Sequence, residues 1–363
     1  MRRANVIGVL TGGGDCPGLN AVIRAVAKTA INVHRMKVVG YLDGYLGLIE
    51  DRSIILDYDA VSGILTEGGT ILGTSNKANP FHHPVKRAGK VTYRDVCGRV
   101  LRNVKKAGVE ALICIGGDGT MQIAHGLGER GVPVVGVPKT IDNDLPGTDV
   151  TFGFDSAVTT AAEAVDKLHS TAQSHHRVMV VETMGRYAGW LALYAGLAGG
   201  GDVILMPEIP YSIEGVCETV LRRNRMGRRF SIIVVAEGAR PKGGKMTVKR
   251  VVADSPDPVR LGGVGNLVGR QVETRTALET RVTVLGHLQR GGTPTPCDRI
   301  LASRFGEGSV RLVAEGRFGH MVNIRGNEIG SVAIDEIAGK CRTVPPDSAV
   351  VRTARALGTS FGD

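Results

Sequence analysis

The sequence predicts an α/β protein with mostly parallel sheets flanked by helices, organised as two Rossmann-like lobes. Three observations carry that reading. Apolar, β-rich runs alternate with longer segments of helical periodicity, and strands separated by helices imply parallel sheets joined by right-handed crossovers. At 363 residues the chain exceeds what one hydrophobic core usually serves, so two domains are expected. Glycine-rich and acidic clusters begin where the apolar runs stop, and such sheets bind ligands beyond the carboxyl ends of their strands.

The apolar runs, in order, are Asn5–Leu10, Lys37–Tyr41, Ala111–Ile115, Val134–Val137, Val178–Val181 and Ser231–Val235, with helical periodicity over Ala21–Val33 after the first. Asp155 reads as the N-cap of a long helix reaching about Ser174, because Ala, Val and Leu recur at three- and four-residue intervals behind it. This helix is expected to open the second lobe. Between Arg240 and Gly265 the chain is rich in Gly, Pro, Lys and Asp, which predicts an excursion or mobile loop outside the core.

Composition bounds the function classes. With 42% hydrophobic and 22% charged residues and 51 glycines, the chain is that of a globular enzyme with many tight turns. The net charge of +10 favours an anionic partner, whether nucleic acid, an acidic membrane face or a phosphorylated metabolite. Aromatics make up only 4%, and none interleave with a basic cluster, so a nucleic-acid partner is not expected. The basic run 221–229 reads as a solvated helix face. Six cysteines are scattered without a CxxC pair or a histidine at ligand spacing, which suits a reduced, cytoplasmic setting. Val6–Leu10 is too short for a signal peptide's apolar region and Trp190–Ala198 too short to cross a bilayer, so neither targeting nor membrane insertion is expected.

The strand-end clusters carry the chemistry. The run Thr11 to Asn20 (TGGGDCPGLN) follows a strand and precedes a helix, so its glycines can bring N–H groups to a phosphate at the helix's positive end. Read alone, it is equally a structural turn. The segment Ile115 to Thr120 (IGGDGT) adds a carboxylate and a hydroxyl to such a turn, and Asp118 is the natural ligand for a hard, oxygen-seeking cation such as Mg2+. Between Pro138 and Pro146 there is little room for a helix, which favours extended backbone. On extended backbone Asp142 and Asp144 face one spot, two carboxylates of which one can serve as a base; Asx-turns are the alternative. The segments 181–187 (VETMGRY) and 286–292 (GHLQRGG), with Arg177 and Arg281 just upstream, gather guanidinium forks and an imidazole among glycines. Arginine matches the two-oxygen geometry of phosphate, although any single one is as easily a surface ion pair.

From Val6 to about Arg304 the chain resembles the 6-phosphofructokinases. The resemblance rests on ordered blocks: GGDCPGLN (13–20), YLDGYLGL (41–48), GGTILG (68–73), GGDGT (116–120), TIDND (140–144), MGRYAG (184–189) and LGHLQRGG (285–292). GGDGT alone is shared with NAD kinases and diacylglycerol kinases, which lack the other blocks. The resemblance implies phosphoryl transfer to the 1-hydroxyl of fructose 6-phosphate, in a cleft between the two lobes. It implies a donor lobe over 1–153 plus about 289–339 and a sugar-phosphate lobe over 154–288 plus about 340–363. Asp142 would be the base, with Thr140, Asp144 and Arg186 beside it. Asp118 would hold Mg2+, and Gly13, Gly117, Gly119 and Thr120 would line the donor phosphates, joined by Lys139. Met184, Gly185, Arg186, Glu237, His287 and Arg290 would hold the sugar phosphate. Arg177 and Arg281 would reach in from a neighbouring subunit of a homodimer or homotetramer.

Two positions bear on the donor. Pyrophosphate-using members of the family carry aspartate where Gly119 stands, a carboxylate that would repel the α-phosphate of ATP. Lys139 is the residue those enzymes place beside the transferring phosphate, yet a branch of ATP users has it too. The bare glycine favours ATP, with pyrophosphate or polyphosphate as the alternative. Where well-known bacterial ATP users have an arginine soon after the GGT block, this chain has Lys77. Arg24 and Lys28 stand where allosteric arginines lie in those members, without a convincing match. Residues 243–265 and the tail beyond Cys341 are additional to the short bacterial form. Two further readings stand beside these: the same chemistry on sedoheptulose 7-phosphate, and a non-catalytic phosphosugar-sensing subunit.

Overall fold

The computed structural model describes residues 4–87, 90–251 and 259–363. The chain divides into two compact units, one of Met1–Thr140, Leu145–Gly153 and Arg290–Lys340, the other of Ile141–Asp144, Phe154–Gln289 and Cys341–Asp363.

The first unit is built on a seven-stranded sheet in the order Glu328–Ala333, His320–Arg325, Val134–Pro138, Ala111–Gly116, Val6–Thr11, Lys37–Tyr41, Ser53–Ile55. The five inner strands run parallel, and the two edge strands are antiparallel. Strands buried on both faces read as continuous apolar runs, as at Ala111–Gly116, where every residue is buried. Leu10, Tyr41, Tyr45, Leu48, Leu112 and Met121 share one core cluster. The helices Leu19–His34 and Pro296–Ala314 approach closely at Gly306, where a Cβ would lie 2.6 Å from that of Ala25.

The second unit has a four-stranded parallel sheet in the order Thr280–Val284, Val178–Thr183, Ser231–Ala236, Val203–Leu205. Its core gathers Val180, Leu205, Val216, Ile233, Val235 and Val268. The tail belongs to this unit. Ser348 caps the helix Ala349–Ala356, and Ser360 then lies parallel to the edge strand, exchanging bonds with Asp202 and Ile204 at 3.0 and 2.9 Å. Phe361 behind it is fully buried.

Strand positions follow the apolar runs to within a residue or two. The long helix spans Phe154–His175, so Asp155 is a first-turn acid and not the cap. In place of a structureless excursion, Val248–Val251 pairs antiparallel with Val259–Leu261; residues 252–258 of that expected loop lie outside the described residues. No helix among the described residues is long and apolar enough to cross a membrane. Cys16, Cys97, Cys114 and Cys217 are buried, Cys297 and Cys341 exposed, and none forms a disulfide.

Candidate active site

In the first unit the sheet's carboxyl ends carry a glycine cradle. Gly12 donates to the Ile115 carbonyl at 2.8 Å, and Gly13 to that of Ser75 at 3.2 Å. The Thr74 hydroxyl reaches the Gly13 carbonyl at 2.7 Å and that of Thr11 at 3.0 Å, so the 68–75 segment is stitched along the loop. Asn20 fixes the same segment from below, accepting the Ile71 N–H and donating toward the Glu67 and Gly68 carbonyls. Lys77 follows, exposed, on a turn made by the Ser75 hydroxyl.

Side chains then fill the cradle's floor. Thr120 is buried between Gly12 and Gly116, whose Cβ atoms would lie 2.5 and 2.2 Å from its Oγ1, so neither site tolerates a side chain. The Lys139 ammonium, on a residue only 4% exposed, donates to the Gly14 carbonyl. A Cβ on Gly13, which has φ +77°, would meet Lys139 Nζ at 3.6 Å and Thr120 Oγ1 at 3.9 Å and nothing else within contact. Gly13 therefore presents bare backbone beside an ammonium and a hydroxyl. The Arg290 guanidinium lies over Gly14 and donates to the Asp15 carbonyl at 2.9 Å, which puts this arginine on the glycine loop in the first unit. Under the loop, burial pushes the Cys16 thiol up to about 12, so it is an inert packing group.

Asp118 opens the helix Asp118–Glu129, with Gly117 as its N-cap. Its Oδ1 accepts the Gly339 N–H at 2.8 Å and its Oδ2 the Gln122 amide at 2.7 Å. Each carboxylate oxygen keeps a further lone pair, so the group remains able to ligate a hard cation. No cluster of three His, Cys, Asp or Glu side chains suited to a metal occurs among the described residues. Gly119 is exposed, and a Cβ there would meet nothing within 4 Å.

In the second unit the acid bend is not extended. Asn143 is 3% exposed with φ +52°, a left-handed residue that breaks the expected alternation of Asp142 and Asp144. Asparagine tolerates this conformation, and no apolar pattern signals it. Thr140, just ahead and in the first unit, accepts the Thr151 hydroxyl on its carbonyl at 2.8 Å.

At the carboxyl end of Val178–Thr183 the chain turns through Met184 and Gly185. The Met184 N–H donates to the buried Gln289 at 3.3 Å, and Gly185, at φ +122°, accepts from Gly238 at 3.1 Å. Glu237 follows the neighbouring strand, its N–H on the Thr183 carbonyl at 2.9 Å, and the Arg186 guanidinium stacks 4.9 Å from the Tyr187 ring. His287 is exposed on the short helical turn Gly286–Arg290. Arg177 and Arg281 converge on one carboxylate: Arg177 pairs with Glu279 Oε1 at 2.9 Å, and Arg281 bonds the same oxygen.

Three supporting residues escaped the sequence reading. Glu182, 3% exposed, accepts the Gly263 and Gly265 N–H groups and so caps the helix Val264–Thr276 across 83 positions. Glu208 accepts from Gly189 at 2.9 Å and from Val344 at 2.8 Å. Arg342, in the tail, donates its N–H to the Asp144 carbonyl at 2.7 Å. A fourth, Gln289, lay with Glu182 inside the quoted segments, and its amide between two glycine bends was the available signal.

Residues 6–313 match the Phosphofructokinase family. The chain is 51% identical to "ATP-dependent 6-phosphofructokinase 2" of Clostridium perfringens, with all of both chains covered. It is 52% identical to "Pyrophosphate--fructose 6-phosphate 1-phosphotransferase" of Streptomyces coelicolor, covering 94% of this chain and 96% of that one. Among solved structures it is similar to phosphofructokinase from Saccharomyces cerevisiae, with TM-score 0.77 and 32% identity over 98% of this chain, and it spans 46% of that yeast chain. With a family match over most of its length and full-length relatives at half identity, the chain belongs to the phosphofructokinase family.

Proposed function

We propose that this chain transfers the terminal phosphoryl group of ATP to the 1-hydroxyl of fructose 6-phosphate, giving fructose 1,6-bisphosphate and ADP, as a cytoplasmic step of glycolysis. The observation that carries the reading is the bare Gly13 backbone facing the Lys139 ammonium and the Thr120 hydroxyl. Phosphoryl transfer asks a protein mainly for positioning and charge compensation, and that constellation supplies both to a polyphosphate.

In this reading the first unit is the donor lobe. Gly13, Gly117, Gly119 and Thr120 line the donor phosphates, Lys139 offsets their charge and Lys77 reaches the nucleotide from the loop's rim. Asp118 holds Mg2+, which would share its remaining coordination sites with phosphate oxygens and water and draw off their charge. The second unit grips the acceptor. Asp142 takes the proton of the 1-hydroxyl, with Thr140 and Asp144 beside it, and Arg186 balances the charge. Met184, Gly185, Glu237 and His287 hold the sugar phosphate together with Arg290. Arg177 and Arg281 serve a neighbouring subunit of a homodimer or homotetramer.

The bare face of Gly119 leaves room for the α-phosphate of ATP. Pyrophosphate is the second reading, favoured by the buried Lys139 and by the name of the Streptomyces relative. A coupled assay crossing ATP, pyrophosphate and polyphosphate with fructose 6-phosphate and sedoheptulose 7-phosphate separates these. The fastest turnover is expected with ATP and fructose 6-phosphate, and Asp142→Asn should lower it by about 10² to 10⁴. No turnover with any pair would replace the enzyme with a phosphosugar-binding subunit.

A further inference from the structure

The tail that follows Cys341 touches the acid bend, and none of the motifs in the sequence accounts for it. Arg342 donates its backbone N–H to the Asp144 carbonyl at 2.7 Å, and its Nη1 lies 3.4 Å from Asn143 Oδ1. The guanidinium sits 4.6 Å from the Trp190 ring, while Trp190 Nε1 donates to the Arg342 carbonyl at 3.0 Å. Two residues on, the Val344 N–H shares Glu208 with Gly189. A short stretch of tail thus binds both the bend and the Met184–Gly189 turn, all within the second unit.

We infer that Arg342 is a positioning residue for the phosphoryl-transfer reaction, holding the left-handed Asn143 so that the carboxylates on either side of it keep their aim. The inference rests on the role proposed for Asp142. Its physical basis is the planar guanidinium, which can stack on an indole and still direct an N–H edge at the asparagine carbonyl oxygen. A lysine ammonium on a flexible stem can do one or the other. Asparagine can enter and leave the left-handed region at little cost, so contacts such as this one set whether the bend keeps its geometry, and displacing a base by an ångström costs on the order of 10² in rate.

The test compares Arg342→Ala, Arg342→Lys and Arg355→Ala. Arg355 pairs with Asp363 and lies 4.8 Å from the Phe361 ring at the tail's far end. Two measurements are made on each full-length variant: kcat and KM for both substrates, and deuterium uptake by the peptide covering 139–146. Arg342→Ala should lower kcat at least about tenfold, leave KM for ATP within twofold, and raise uptake over 139–146. Arg342→Lys should recover part of both, and Arg355→Ala should match wild type. Unchanged uptake in Arg342→Ala, unchanged kcat despite raised uptake, or an equal loss in Arg355→Ala would each overturn the inference. Should the wild type phosphorylate no sugar phosphate at all, the proposed function falls separately, and the uptake comparison alone decides whether Arg342 holds the bend.

Discussion

Asp118 accepts the backbone N–H of Gly339 at 2.8 Å, so the first turn of its helix is fixed by a residue 221 positions later. The contact aims the carboxylate without neutralising it. In Asp118→Asn the amide oxygen still accepts from Gly339, and the Gln122 amide can rotate to meet the new N–H₂. The fold should survive, with a melting temperature within about 3 °C of wild type. If Asp118 holds Mg2+ as proposed, the variant loses the carboxylate charge, and divalent-ion affinity should fall at least about tenfold. Mn2+ titration followed by water-proton relaxation, with an ATP analogue present, measures this directly; unaltered affinity would remove Asp118 from the metal site.

Gly119 supplies the donor prediction. A Cβ there meets nothing within 4 Å and the backbone is helical, so Gly119→Asp creates no clash. An acid in the first helical turn is favourable by roughly 0.3–1 kcal/mol, so thermal stability should hold or rise slightly. If Gly119 lines the donor site as proposed, the new carboxylate would take the space of ATP's α-phosphate, and kcat/KM for ATP should drop at least about a hundredfold, equivalent to about 2.7 kcal/mol. Comparable ATP activity in a folded Gly119→Asp protein would refute the steric argument.

Much of the framework was legible because its signals are local. Apolar runs such as Lys37–Tyr41 are strands buried in parallel sheets, and the glycine clusters stand at their ends because side chains like Thr120 need the room. The Asp142–Asp144 bend departs from the extended backbone that the flanking prolines favour, and from that expectation alone its left-handed asparagine could not be told from the alternative of Asx-turns, because it leaves no periodic trace. Glu182, Glu208 and Gly339 act on partners far along the chain, through backbone N–H groups that every residue but proline possesses, so no spacing rule could name them. The tail was silent for the same reason: Arg342 binds through a carbonyl, an indole and an amide that carry no shared motif.

The shared carboxylate between Arg177 and Arg281 makes a prediction about the acceptor. Both guanidinium groups end on Glu279 Oε1, and the Arg177 bond, with Arg281 adding to it, holds that carboxyl below its ordinary range. Under the proposed role of Arg177 and Arg281, Glu279 competes with a sugar phosphate for these donors. Glu279→Gln removes a competing negative charge, so KM for fructose 6-phosphate should fall about two- to fivefold and its dependence on ionic strength should steepen. A raised KM would mean that Glu279 organises the two arginines more than it competes for them.

Glu208 gives the pH prediction. Burial pushes its carboxyl above the ordinary value of 4.5, against the opposing pull of the Val344 and Gly189 N–H bonds. A carboxyl that holds its proton more tightly folded than unfolded adds most to stability below 4.5, and loses that contribution as pH rises through the raised folded value. Glutamine cannot titrate, yet its amide oxygen can still accept from both backbone groups. The melting temperature of wild type relative to Glu208→Gln should therefore be highest below pH 4.5 and should decline by about 2 °C or more by pH 7.5. Because the two proteins share every other titrating group, the difference isolates this one carboxyl. A gap that stays constant with pH would show that the Gly189 and Val344 bonds match burial, and one that widens that they outweigh it, holding Glu208 ionised at the junction of the tail and the Met184–Gly189 turn.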